Sequence, residues 1–168
     1  MKYKISVERN TLRFAAAHLT TSGGQAEPLH GHNYDLLLEV EGDLTEDAWV
    51  IDFGELKRTA EALCQKLDHR FLLPRDNPAL QITDLGDAWQ IVAGDRRYVI
   101  PKDDVCALPL DNSTAERLAE WFCHRLAEAL AKRGNITSIT VGVEEAPGQA
   151  GWCTLNLQQP LTWRPKAL

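Results

Sequence analysis

Residues 32–42 read as one β-strand with two unlike faces, and His30 extends the pattern at its start. Counting by twos, one face carries His30, His32, Tyr34, Leu36, Leu38 and Val40. The other carries Asn33, Asp35, Glu39 and Glu41, with Leu37 the one apolar exception. Successive strand side chains point to opposite sides. A period of two held this long predicts a strand with one face buried, ending at Gly42. It also sets two imidazoles on the inward face, where each ring needs a partner. His18 ends an earlier extended segment, so three histidines can meet. Three neutral imidazoles can share one Zn2+ and leave its fourth position to water or substrate, the pattern of a catalytic rather than a structural zinc site. The alternative is three core histidines hydrogen-bonded to backbone.

The rest of the chain supplies partners for that strand. Residues 3–9 and 11–18 read as extended, with a turn at Asn10. A helix is expected from Asp52, where Asp52 and Glu55 have capping-box character. Phe53, Leu56, Ala60, Leu63 and Leu67 then recur at helical spacing up to Asp68-His69. A second helix is expected over 114–133. Ser113 and Glu116 have capping-box spacing, Leu118, Phe122, Leu126, Ala129 and Leu130 form an apolar face, and Lys132-Arg133-Gly134 is a stop. Two strands follow, over 136–145 and 151–158. Between the helices, Trp89–Ala93 and Arg97–Ile100 flank Gly94-Asp95 and read as a hairpin inserted near 80–110. The order of elements predicts one α+β domain over residues 1–168 with an antiparallel sheet.

Charge and composition narrow the function. The net charge is −6, from 18 basic and 24 acidic side chains, with no Lys/Arg cluster. Nucleic acid is therefore not an expected partner. No apolar run is long enough to span a bilayer, and Met1-Lys2-Tyr3-Lys4 does not open a signal peptide, so no membrane is expected and the location is read as cytoplasmic. Cys64, Cys106, Cys123 and Cys153 are scattered with no CxxC pair and read as reduced thiols.

Six blocks now stand in order: Phe14-Ala15-Ala16-Ala17-His18, His30-Gly31-His32-Asn33, Trp49-Val50-Ile51-Asp52-Phe53, Leu67-Asp68-His69, Asn112-Ser113-Thr114-Ala115-Glu116 and Val143-Glu144-Glu145. In them the chain resembles the 6-pyruvoyl-tetrahydropterin synthases and their bacterial relatives, the 6-carboxy-tetrahydropterin synthases of queuosine synthesis. The resemblance covers nearly the whole chain outside 80–110. It implies the tunnelling fold, a four-stranded antiparallel sheet with two helices on one face. Subunits of that fold join their sheets into a barrel, as a homo-oligomer, usually a hexamer of two trimers with active sites between subunits. It implies a small dihydropterin substrate, His18, His30 and His32 as zinc ligands, Asp68 and His69 as a proton relay, and Glu145 and Thr114 as substrate-binding residues.

Some of these roles have support in the residues themselves. Ile139, Val141, Val143 and Glu145 share a face, so Glu145 ends an apolar row. A carboxylate there can accept hydrogen bonds from a pterin's amino group and ring N–H; the alternative is a strand-end residue in water. An ionised Asp68 can orient the neighbouring imidazole for proton transfer; the alternative is a histidine at a helix C-terminus, favoured by the dipole. Thr114 has a capping role as its alternative, and Ser113 stands where the family usually has proline.

The chain departs from the main family at its nucleophile. The pyruvoyl- and carboxy-forming enzymes carry a catalytic cysteine shortly before the His-x-His pair. The corresponding position in the queuosine type is Ala26, and no cysteine precedes Cys64. Glu27 stands three residues before His30 instead. This resembles the glutamate branch of the family, linked to folate-type synthesis, which makes 6-hydroxymethyl-7,8-dihydropterin from 7,8-dihydroneopterin triphosphate. A carboxylate is ionised at neutral pH and can take a proton from a side-chain hydroxyl; the alternative is a loop carboxylate with no catalytic part. The expectation is a zinc-dependent pterin side-chain lyase, serving folate- or methanopterin-type cofactor synthesis. Formation of 6-carboxy- or 6-pyruvoyl-tetrahydropterin is the alternative within enzymes. A non-catalytic pterin-binding scaffold is the alternative outside them.

Overall fold

The computed structural model describes residues 1–8 and 12–159, so the turn expected at Asn10 lies outside the described residues. The strand expected around His32 is the spine of the molecule. It runs over His30–Gly42 (β5). On one edge lie two shorter strands end to end: Tyr3–Val7 (β1) pairs with the far half and Arg13–His18 (β2) with the near half. On the other edge lies Ile136–Ala146 (β11), with Gln149–Asn156 (β12) beyond it. All these pairings are antiparallel, and the sheet they build is four strands wide, with β1 and β2 sharing one edge position, as the family resemblance implies.

Two further strands widen the sheet. Arg70–Pro74 (β6) runs parallel to β2, and Val105–Leu108 (β10) runs parallel to β6. The run Phe71-Leu72-Leu73 lacks alternation because both of its faces are covered. Leu72 belongs to the main core, while Phe71 and Leu73 belong to a second cluster on the opposite face. Uninterrupted apolar runs are the usual mark of such strands.

Both helices lie on one face. The first, Phe53–Leu67 (α1), begins as expected, with the Asp52 carboxylate accepting the Glu55 backbone N–H at 2.9 Å. The Glu55 carboxylate does not reach back to the cap; it accepts from Arg133 Nε at 2.9 Å. The second helix, Ala115–Leu130 (α2), is capped one residue later than the Ser113 spacing predicts. Thr114 is its N-cap, and Ser113 instead donates from Oγ to the Leu19 carbonyl at 3.0 Å. A tertiary acceptor has drawn away one of two adjacent hydroxyls. A 3-10 turn over Ala131–Arg133 and Gly134 at φ 63 end the helical segment, with the left-handed glycine where a helix commonly stops.

The main core fills the space between helices and sheet. Phe14 stacks on Tyr34 with ring centroids 4.7 Å apart, and Leu36, Leu38, Leu56, Phe122, Ile139 and Val141 close around them. Phe122 is fully buried, so truncation to Ala would cost roughly 3–5 kcal/mol.

The insertion is more than a hairpin. Ala88–Ala93 (β8) and Arg96–Pro101 (β9) pair around the Gly94-Asp95 turn as expected, and Gln81–Asp84 (β7) adds a third strand. This small sheet covers the face away from the helices, with Ile91 and Ala93 buried against Leu19, Phe71 and Leu73. Two remaining short strands, Thr21–Ser22 (β3) and Gln25–Ala26 (β4), form a surface hairpin just before β5. No helix among the described residues is long and apolar enough to cross a membrane.

Candidate metal centre and active-site cavity

The three histidines converge because the register demands it. His18 pairs with His30 across β2 and β5, and Ala16 pairs with His32. All three rings continue the helix-facing rows that begin with Phe14 and Tyr34. The ring centroids form a near-equilateral triangle, 4.6 Å between His18 and His30, 5.1 Å between His18 and His32, and 4.9 Å between His30 and His32. One ligand nitrogen from each lies within 4.8 Å of the others.

The hydrogen bonds orient two of these rings. His18 Nδ1–H donates to the Ser113 carbonyl at 2.9 Å, with the Tyr34 hydroxyl 3.2 Å away. His30 Nδ1–H donates to the Pro28 carbonyl at 2.8 Å. Each donation leaves Nε2 as the bare acceptor, and the two Nε2 atoms face each other at 3.1 Å. Two lone pairs aimed together repel unless a proton or cation lies between them. Ligands bonded tetrahedrally at about 2.05 Å would stand roughly 3.3 Å apart. Burial also pushes the His18 pKa down to about 4, the neighbouring His30 and His32 adding to the shift against the pull of the Ser113 carbonyl. His18 is therefore neutral, as a metal ligand must be. The donor set fits a divalent metal on all these counts.

An open cavity of about 390 Å³ adjoins the triad, lined by His18, Thr20, Glu27, His30, Thr114, Glu116, Glu145 and the β12 residues Gln149–Gly151. Its volume suits a small heterocyclic ligand. Glu145 reaches it through a bulge. The β11–β12 register slips between Glu144 and Ala146, so the residue between them leaves the ladder, a common way to re-aim a strand side chain. Glu144, one residue earlier, is buried and accepts the Gly148 N–H at 2.7 Å. Burial raises the Glu145 pKa, with Glu116 and Glu27 adding to it and His32 and His30 opposing. Thr114 lines the cavity and caps α2 at once. Gly151 lets β12 pass against that helix start, since a Cβ there would sit 2.5 Å from the Glu116 nitrogen.

Asp68 and His69 do pair. Asp68 Oδ2 lies 2.8 Å from His69 Nδ1, and Asp68 Oδ1 accepts the Ala15 N–H at 2.8 Å. The Ala15 contact, then the His69 contact, hold the Asp68 pKa below the usual carboxylate range. His69 borders a different depression, shared with Ala15–Ala17, Gly31, His32 and Asn33. The described residues thus bring Glu27, Glu145, Thr114, His18 and His30 together, and set the Asp68-His69 pair apart from Glu27.

Sequence reasoning did not find the Ser113 carbonyl, the Tyr34 hydroxyl or Glu116. Tyr34 had a usable signal, since it follows His30 and His32 at the same period. A carbonyl that orients an imidazole from 95 residues away has none. All four cysteines are free, Cys64 and Cys123 buried and Cys106 and Cys153 partly so.

Comparison with known proteins agrees with the fold. The family model described as 6-pyruvoyl tetrahydropterin synthase matches residues 5–156. A Methanocaldococcus jannaschii protein named as a putative 6-carboxy-5,6,7,8-tetrahydropterin synthase is 31% identical over 141 residues, covering 82% of this chain and 86% of the relative. A dihydroneopterin monophosphate aldolase of Pyrococcus furiosus is 38% identical over 69 residues, 40% of this chain and 59% of the relative. Among solved structures, the 6-pyruvoyl tetrahydropterin synthase of Plasmodium vivax superposes with a TM-score of 0.87 at 31% identity, covering 94% of this chain and 99% of its own. A variant of that protein, with alanine in place of a glutamate described as a catalytic residue, matches equally well. With sequence, fold and six ordered blocks in agreement over most of its length, the chain belongs to the 6-pyruvoyl tetrahydropterin synthase family, whose named members process pterins.

Proposed function

We propose that the protein is a zinc-dependent lyase that shortens the side chain of a 7,8-dihydroneopterin to give 6-hydroxymethyl-7,8-dihydropterin. One observation carries this reading: in a chain with Ala26 at the expected cysteine position, Glu27 lines the same cavity as His18, His30 and Glu145. That a glutamate is the named catalytic residue of the Plasmodium vivax relative, and that another relative is a dihydroneopterin monophosphate aldolase, supports it.

His18, His30 and His32 would hold the zinc ion, which when bound would supply a Lewis acid for the substrate's two adjacent side-chain hydroxyls. Glu145 accepts hydrogen bonds from the pterin's amino group and ring N–H and so fixes the ring. Thr114 lies beside it at the start of α2. Glu27 takes the proton from the oxygen on the second side-chain carbon. The bond between the first and second carbons then breaks. The second carbon leaves as an aldehyde, and the electron pair moves into the ring's C6=N5 imine. A proton returned to the first carbon restores the imine and leaves the hydroxymethyl group. Asp68 and His69 serve as the relay for that proton. Because His69 lies outside the Glu27 cavity of its own chain, the relay role favours a site completed by a second copy in a homo-oligomer, a hexamer in the family pattern.

A second reading, formation of 6-carboxy-5,6,7,8-tetrahydropterin, is favoured by the name of the Methanocaldococcus jannaschii relative. One experiment separates the readings. Zinc-loaded protein is incubated with 7,8-dihydroneopterin, its monophosphate and its triphosphate, and the products are identified by mass. The proposal expects 6-hydroxymethyl-7,8-dihydropterin and a two-carbon aldehyde carrying whatever phosphate the substrate had. 6-Carboxy- or 6-pyruvoyl-tetrahydropterin would overturn it, as would tight binding of all three compounds without turnover.

A further inference from the structure

We infer that Arg96, at the tip of the inserted sheet, is a positioning residue that holds the Glu27 carboxylate at the mouth of the metal site. The inference rests on the reading of Glu27 as the base. Glu27 follows directly on β4, in a hairpin too short to hold its own place: β3 and β4 contribute two residues each. Its fixity has to come from outside. At the β3 end, Asn112 grips Thr21 twice, accepting from its N–H at 3.1 Å and donating to its carbonyl at 2.9 Å, and Asn77 donates to the Thr21 hydroxyl at 2.9 Å. The Glu27 N–H donates to the Thr20 carbonyl at 2.9 Å. At the β4 end, Arg96 Nη1 donates to the carbonyl of Ala26 at 3.1 Å, and the Ala26 side chain packs on the cluster that also holds Ile91, Tyr98 and Ile100 of the insertion.

Ala26 is the residue before Glu27. A charge-assisted donor on its carbonyl fixes the peptide plane from which Glu27 departs. Arg96 itself is held at a defined height, since it begins β9 immediately after the tight turn at Gly94, φ 64. The inserted sheet thus ends in a strut against the base-bearing loop. This gives the insertion a part in the chemistry without its touching substrate, and a misplacement of order 1 Å can cost up to about a hundredfold in rate.

The test uses zinc-loaded, full-length Arg96→Met, Arg96→Lys, Glu27→Gln and the double variant R96M/E27Q, each assayed on the dihydroneopterin that the native protein turns over. Amide exchange of residues 20–27 is followed alongside. Expected for Arg96→Met are kcat lowered about ten- to a hundredfold, KM within about twofold, native zinc content and Tm, and faster exchange confined to residues 20–27. Arg96→Lys should recover part of the rate, and R96M/E27Q should be no slower than Glu27→Gln alone. Unchanged kcat in Arg96→Met beside an inactive Glu27→Gln overturns the inference and leaves the base reading standing. A further loss in the double variant also overturns it, because Arg96 would then act by another route. A fully active Glu27→Gln overturns the base reading itself, whatever Arg96→Met does.

Discussion

Asp68 is clipped to Ala15. Its Oδ1 accepts the Ala15 N–H at 2.8 Å, and the Ala15 carbonyl takes the His69 N–H at 2.6 Å. The end of α1 is thereby tied to β2, three residues before His18. The Ala15 contact is the largest cause of the lowered Asp68 pKa, followed by His69. A carboxylate depressed in the folded state lends stability at pH values above its ordinary pKa, and that stability is lost as pH falls through the folded value. The native protein should therefore lose Tm below about pH 4 through this group. Asp68→Asn should be less stable at pH 7 and flatter in the acid range. Equal Tm–pH curves for the two proteins would show that the clip contributes nothing.

His69 has a left-handed backbone, φ 56, a region that side chains other than glycine occupy at a cost. Strain kept at a candidate relay residue is expected where chemistry, not stability, selects it. His69→Gly should be as stable as the native protein or more so, by up to about 1 kcal/mol, and should lose most turnover. Denaturant unfolding beside a steady-state assay checks both halves. A destabilised but active His69→Gly would remove the relay.

Much of this was legible in the sequence, and the reasons differ by element. β5 announces itself because only one of its faces is buried, so alternation survives, and the same alternation fixes His30 and His32 on the helix side. Asp52 was legible as a cap because its partner is three residues away. Ser113 misled because two adjacent hydroxyls compete for one cap, and the winner was decided by the Leu19 carbonyl, far off in the chain. β6 and β10 were not legible as strands, since Phe71-Leu72-Leu73 is covered on both faces and shows no period. Glu27 could be placed near the histidines by its position three residues before His30 together with the resemblance to the glutamate branch. What fixes its loop, Asn112 and Arg96, acts over 91 and 70 residues, and no local pattern records such contacts.

The facing Nε2 atoms of His18 and His30 make a direct prediction about metal. Zinc should raise the Tm of chelator-treated protein, by an amount equivalent to about 2.7 kcal/mol at a hundred times Kd. His18→Ala, His30→Ala and His32→Ala should each lose most of that gain and most bound zinc by elemental analysis. Chelated protein should be inactive and regain turnover on addition of zinc. A Tm indifferent to zinc in the native protein would leave the triad as core histidines.

Glu145 offers a pH test of substrate binding. Burial raises its pKa, and only the ionised form accepts from both the amino group and the ring N–H. Pterin affinity should therefore be full at pH 7 and fall as pH drops through that raised pKa, at a higher pH than an ordinary carboxylate would dictate. Glu145→Gln should bind about tenfold or more weakly at pH 7, consistent with roughly 1.5–3 kcal/mol for a hydrogen bond to a charged group. Its affinity should no longer follow that titration. Titrations of a non-reacting dihydropterin across pH decide it. A pH profile identical in the two proteins would assign the acceptor role elsewhere.

Glu27 and His69 open onto different depressions of one chain, and this separation sets up the strictest test of the mechanism. Glu27→Gln should lower kcat by about 10²–10⁴, with zinc content unchanged, and His69→Ala should do likewise. If one chain supplies the base and another the relay, then mixed oligomers contain some sites built from two intact halves. Dissociating the two inactive variants together and reassembling them should restore a measurable fraction of native turnover, while each variant treated alone stays inactive. Native mass spectrometry confirms that mixed assemblies have formed. Mixed oligomers without activity would mean that both groups must come from the same chain, or that His69 takes no part, and either result would remove the shared site from the proposal while leaving the metal centre and Glu27 to be judged on their own variants.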